Sequence, residues 1–194
     1  MEEFLEYVFK YCREHKIKLT LLPNEKINGC AGLFVSTPGE LELIVCLDNP
    51  RRVFISTLVH EFSHATQYVE NIPLWDVTER YHYVYDNEHK WETYNKKLLK
   101  QTFTAFKMIE LDCEKRSVEL IKRFNLPIDI KHYIQLANAY IYYYDILPIT
   151  KRWCGQQSPC QIEEIVNAMP TNFNRKYKKL PGKYRKLYMK HYKM

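Results

Sequence analysis

Residues 57–66 read Thr-Leu-Val-His-Glu-Phe-Ser-His-Ala-Thr, and this stretch constrains the chain more than any other. On a helix, His60 and His64 stand one turn apart on one face. Phe54, Ile55, Leu58, Val59, Phe62, Ala65, Tyr68 and Val69 make that helix apolar around much of its girth, so it is expected inside a core. A surface helix with two unrelated histidines would carry polar flanks instead. Two imidazoles at this spacing suit one shared zinc ion, with Glu61 beside them as a general base.

The chain has 194 residues, enough for one domain with a core and a small extension. We divide it into a body, residues 1–170, and a basic extension, residues 171–194. The extension holds nine Lys and Arg and no acid, while the body holds 20 basic and 23 acidic residues. No apolar run approaches a membrane span, and the acidic start Met1-Glu2-Glu3-Phe4 lacks a basic leader. The six cysteines form no Cys-x-x-Cys pair and read as reduced thiols. A cytoplasmic protein without membrane contact is therefore expected.

The fold expected is α+β and mainly helical. Residues 2–15 carry a helical apolar stripe, and three strands follow at Ile17–Leu22, Ala31–Ser36 and Leu41–Leu47. Thr37-Pro38-Gly39-Glu40 is a hairpin turn, which predicts a small antiparallel N-terminal sheet. The strand Leu41–Leu47 is the one expected to offer an edge beside the site. Asn49 is the expected N-cap of the His60 helix, with Pro50 at its first position. Residues 76–90 read as loop or short helical pieces. A long helix follows from about Lys90 or later, in one or two pieces, to about Phe124, an Asp129-capped helix covers about 130–146, and a short helix covers Ile162–Met169.

A two-histidine zinc site needs a third protein ligand. The extended motif with a third histidine six residues on is excluded, because Gln67 and Glu70 stand at its Gly and His positions. Further along, Glu110, Cys113, Glu114, Ser117 and Ile121 share one helix face. Carboxylates on a face of small and apolar groups are costly unless paired or bound to a metal. Glu110 and Glu114 are both candidates, and His82 and His89 are further ones.

With these residues the chain resembles the gluzincin class of zinc metalloproteases. That class supplies its third ligand from a Glu-x-x-small-Asp/Asn pattern on a second helix. Glu110-Leu111-Asp112-Cys113-Glu114 is similar to it, with Cys113 as the small residue and Glu114 where Asp or Asn is usual. The resemblance covers about residues 30–125. It implies a minimal zincin-like core: a small sheet, the motif helix and a second ligand-bearing helix. It implies one zinc per chain on His60, His64 and Glu110, with Glu114 as a supporting residue or alternative ligand. Residues 108–146 also resemble uncharacterised phage-encoded metallopeptidase-like proteins, through Glu-Leu-Asp-Cys-Glu-Lys-Arg-Ser and Ala137-Asn138-Ala139-Tyr140.

The activity implied is hydrolysis of a protein or peptide substrate, with Glu61 as the base. An oxyanion donor is sought among Tyr140, Tyr143 and Tyr144, with His82 and His89 as further candidates. Two other functions fit the same residues. One is a SprT-like protease acting on nucleic-acid-bound proteins, with the Lys- and Tyr-rich extension touching the nucleic acid. The other is a non-catalytic zinc-binding structural or interaction module, which would have no need of Glu61.

Overall fold

The computed structural model describes all residues except 25, 28, 38, 155–156, 174–176 and 193–194. The protein is α+β and mainly helical, and the chain divides into two compact units. The first comprises Met1–Ile72 and Cys113–Ile128; the second comprises Pro73–Asp112 and Asp129–Met194. No helix among the described residues is long and apolar enough to cross a membrane.

The first unit begins with α1 (Glu2–Glu14), which opens on two acids suited to a helix N-terminus and buries Phe4, Val8 and Cys12 at four-residue intervals. Strands β1 (Lys18–Leu22), β2 (Gly32–Thr37) and β3 (Glu40–Cys46) form a sheet of order β1-β3-β2. The expected hairpin is β2–β3, turning through Gly39 at φ +88, with Pro38 outside the described residues. The sheet as a whole is mixed, not antiparallel. β1 joins β3 in parallel, Leu19 opposite Leu43 and Leu21 opposite Val45. A parallel pair cannot be closed by a tight turn. Here β2 runs opposite to both, and the β2–β3 hairpin turns β3 back to the direction of β1.

Helix α2 (Arg51–Val69) follows the sheet. Its N-cap is Pro50. Asn49, the expected cap, instead donates its side-chain amide to the Cys46 carbonyl (3.3 Å). α2 buries Ile55, Leu58, Val59 and Phe62, and the Phe62 ring meets Phe4, Tyr7 and Tyr11 at 6.2, 5.7 and 5.1 Å between centroids. Phe124 closes this cluster against Phe4 at 5.3 Å. The same unit receives the last part of the long helix α5 (Lys96–Arg123), from Cys113 onward.

The second unit carries α3 (Pro73–Glu79), α4 (His82–Tyr85), the α5 residues up to Asp112, α6 (Ile130–Tyr143), α7 (Leu147–Thr150), α8 (Glu163–Ala168) and α9 (Gly182–His191). Asp129 caps α6 as expected, accepting from the backbone of Lys131 and His132. The core is aromatic: Trp91, Phe103, Tyr142 and Tyr143 are buried with Ile165, Tyr184 and Tyr188. The basic extension is part of this core. Tyr188 donates its hydroxyl to the Ala139 carbonyl (2.6 Å), while Lys183, Arg185, Lys186 and Lys190 face outward.

One glycine sets the spacing of β2 and α2 in the first unit. A Cβ on Gly32 would lie 2.6 Å from Thr57 Cγ2, 2.8 Å from the Ile44 carbonyl oxygen and 3.2 Å from Glu61 Cγ. The carbonyl is backbone and cannot swing aside. Gly32→Ala is expected to lower stability by roughly 1–3 kcal/mol. Urea denaturation reads this as a lower midpoint at unchanged slope; a wild-type midpoint would mean that the β2–α2 seam opens at no cost.

Candidate metal centre

The apolar pattern of α2 buries Val59, Phe62, Ser63 and Ala65 and leaves His60, Glu61 and His64 at intermediate exposure on its flank. The two imidazoles lie edge to face, with centroids 4.8 Å apart. Small buried groups let the end of α5 approach them. Ser63 and Ser117 share a 3.0 Å hydrogen bond, and Ser63, Cys113 and Ser117 are fully buried. Cys113 donates its thiol to the His60 carbonyl (3.3 Å).

Each histidine presents its Nδ1 to a side-chain oxygen. His60 Nδ1 is 3.2 Å from Glu114 Oε1, and His64 Nδ1 is 2.8 Å from Gln67 Oε1. A neutral imidazole that donates from Nδ1 carries its lone pair on Nε2. Glu114 is buried, and its other oxygen has no hydrogen-bond partner among the described residues. Burial disfavours a charge on His60, but the Cys113 sulfur and the Glu114 carboxylate outweigh it and hold its pKa well above the ordinary imidazole value.

Among the described residues, one group of metal-ligand side chains lies close enough to hold an ion: His60, His64 and Cys113, with ligand atoms within 4.8 Å of one another. Cys113 enters as a group that the sequence pattern offers only as a small residue. Gln67 is likewise visible in sequence only as the residue that rules out a longer motif, although it sits three residues after His64, one helical turn on. Glu61 lies against β2 at Gly32; burial first, and the Glu61 carboxylate with it, pushes the Cys30 thiol up.

The remaining expected residues lie in the second unit. Glu110 is on α5 one turn before Glu114, and its charge acts on Tyr85, Tyr140 and Tyr144. These three phenols form a chain: Tyr144 donates to Tyr140 at 3.1 Å and meets Tyr85 at 3.3 Å. Burial first, and Glu110 with it, holds all three above the ordinary tyrosine pKa. Tyr143 lies elsewhere in that unit, its ring against Tyr192 at 4.9 Å and Tyr188 at 6.0 Å. His82 packs edge-on against Phe106 at 5.2 Å and pairs with Asp86 at 3.6 Å; His89 is exposed.

Comparison of the chain with models of protein families, with curated proteins and with solved structures finds no match.

The first unit yields a direct prediction for Glu114. Glu114→Leu removes the acceptor for His60 Nδ1, and zinc affinity is expected to fall roughly 10- to 100-fold. Competition with a chromophoric chelator measures it; unchanged affinity would deny Glu114 any part in the centre.

Proposed function

We propose that this chain is a zinc-dependent peptidase acting in the cytoplasm, and one observation carries the reading. Both histidines of the Leu-Val-His-Glu-Phe-Ser-His helix turn Nδ1 to a side-chain oxygen, the arrangement that directs Nε2 towards a metal. The donor set fits zinc: two imidazoles, a carboxylate-bearing helix and a partly shielded setting. His60 and His64 would hold the ion, and Glu110 is the third ligand that the resemblance gives. Glu114 supports that assignment. Glu114 stands one turn after Glu110, where the resemblance gives it a supporting role, and it is in contact with His60.

When bound, zinc supplies a Lewis acid that polarises a peptide carbonyl and makes water more acidic. Glu61 accepts the water's proton and returns it to the leaving nitrogen. The substrate strand pairs along β2. The strand expected to offer an edge, Leu41–Leu47, is the centre of the sheet with neighbours on both sides, whereas β2 is an edge and runs past Glu61 at Gly32. An extended peptide added there gains main-chain hydrogen bonds within reach of the base. All six cysteines are free, as suits a reducing compartment.

A second reading rests on Cys113, whose sulfur lies 3.6 Å from His60 Nδ1. A His60–His64–Cys113 set would make a zinc module with a structural role. The two readings part on metal content. The peptidase reading expects Cys113→Ala to keep about one zinc per chain and Glu110→Ala to lose most of it. Zinc lost with Cys113 and kept without Glu110 would establish the module instead.

Activity supplies the sharper check. Glu61→Gln keeps size and shape but cannot take a proton at neutral pH. It is expected to retain zinc and thermal stability while casein hydrolysis drops by about 10²-fold or more. Undiminished turnover in the zinc-loaded Glu61→Gln protein would refute the base, and loss of zinc would make Glu61 a ligand.

A further inference from the structure

The two histidines of the centre are oriented by different chemistry. His60 faces a carboxylate brought by α5, the kind of partner that the gluzincin pattern implies. His64 faces the amide oxygen of Gln67, three residues further along its own helix, at 2.8 Å. Gln67 is fully buried and lies on α2 among Ser63, Ala65 and Thr66, also buried.

We infer that Gln67 is the positioning residue of the centre: its side-chain oxygen holds the proton of His64 on Nδ1 and thereby turns the Nε2 lone pair to the metal. This deepens the peptidase reading and rests on it for the metal. An imidazole on an isolated helix rotates about two side-chain torsions and exchanges its proton between both nitrogens. A hydrogen bond at Nδ1 fixes the proton and the ring plane together. The acceptor must come from a rigid place, and a buried side chain one turn away on the same helix is such a place. Gln serves where Asn would be shorter by one methylene and where an apolar residue would have no acceptor. A buried amide also brings no charge, so Gln67 orients His64 without the cost of a second buried carboxylate.

The inference separates Gln67 from a residue that merely fills the core. Gln67→Met keeps the length and apolar bulk of the side chain and removes the acceptor. Gln67→Glu keeps an oxygen at the same reach. In metal-free protein at a pH where His64 is neutral, nitrogen-15 NMR of the imidazole distinguishes the Nδ1–H from the Nε2–H form. Wild type and Gln67→Glu are expected in the Nδ1–H form, with Gln67→Met shifted towards Nε2–H. Zinc affinity, measured by chelator competition, is expected to fall roughly 10- to 100-fold in Gln67→Met and to stay within a few-fold in Gln67→Glu. Circular dichroism and melting curves identify a variant that fails to fold, in which case Gln67→Leu replaces Gln67→Met. An unchanged tautomer and unchanged zinc affinity in folded Gln67→Met would overturn the inference and leave the peptidase reading standing. Wild-type protein in the Nδ1–H form that binds no zinc would overturn the metal centre itself.

Discussion

Two hydrogen bonds, His60 Nδ1 to Glu114 and His64 Nδ1 to Gln67, are the interactions on which the functional account depends. Helical spacing alone brings the rings together but leaves each free to turn. The bonds keep a proton on each Nδ1 and fix the ring planes, leaving Nε2 as the nitrogen that an ion would take in place of a proton. They use two different sources. One acceptor belongs to α2 and needs only that the helix form; the other arrives on α5 and needs close packing between the helices. The fully buried Ser63, Cys113 and Ser117 make that packing possible, because larger side chains would hold the backbones apart.

The sheet of the first unit plays a comparable part for Glu61. β2 approaches α2 where Gly32 has no side chain, and the carboxylate-bearing residue lies at that point of contact. The aromatic cluster of Phe4, Tyr7, Phe62 and Phe124 backs α2 on its other flank. The motif helix is thus held between a strand that passes it at backbone distance and rings that bury Phe62 completely. Precision at the site comes from ordinary packing on both sides of one helix.

The elements with strong local signals were legible in the sequence. The stripe of α1, the girth of α2 and the Asp129 cap all came from spacings of a few residues; α1 and the start of α2 lie within one residue of expectation, whereas α6 ends three residues early, at Tyr143. Long-range features were not legible. The parallel pairing of β1 with β3 sets Leu19 opposite Leu43, far apart in sequence, and no local pattern encodes it. Gly32 looked like one glycine among five until its neighbours were known. Gln67 and Cys113 lack a signature of their own and gain meaning only from the distances to His64 and His60. In the extension, cations mixed with tyrosines suit either nucleic-acid contact or a segment packed on the body. Tyr184 and Tyr188 resemble stacking rings in composition, but they are core residues, so any polyanion contact there would rest on the outward cations alone.

The central claim concerns which atoms hold the metal. X-ray absorption spectroscopy of the zinc-loaded protein reads the ligand elements directly, without a substrate. The account predicts two imidazole shells and light-atom scattering near 2.0–2.1 Å, with no sulfur shell. A zinc–sulfur distance of about 2.3 Å would contradict it, placing Cys113 in the first coordination sphere and making the centre a structural one.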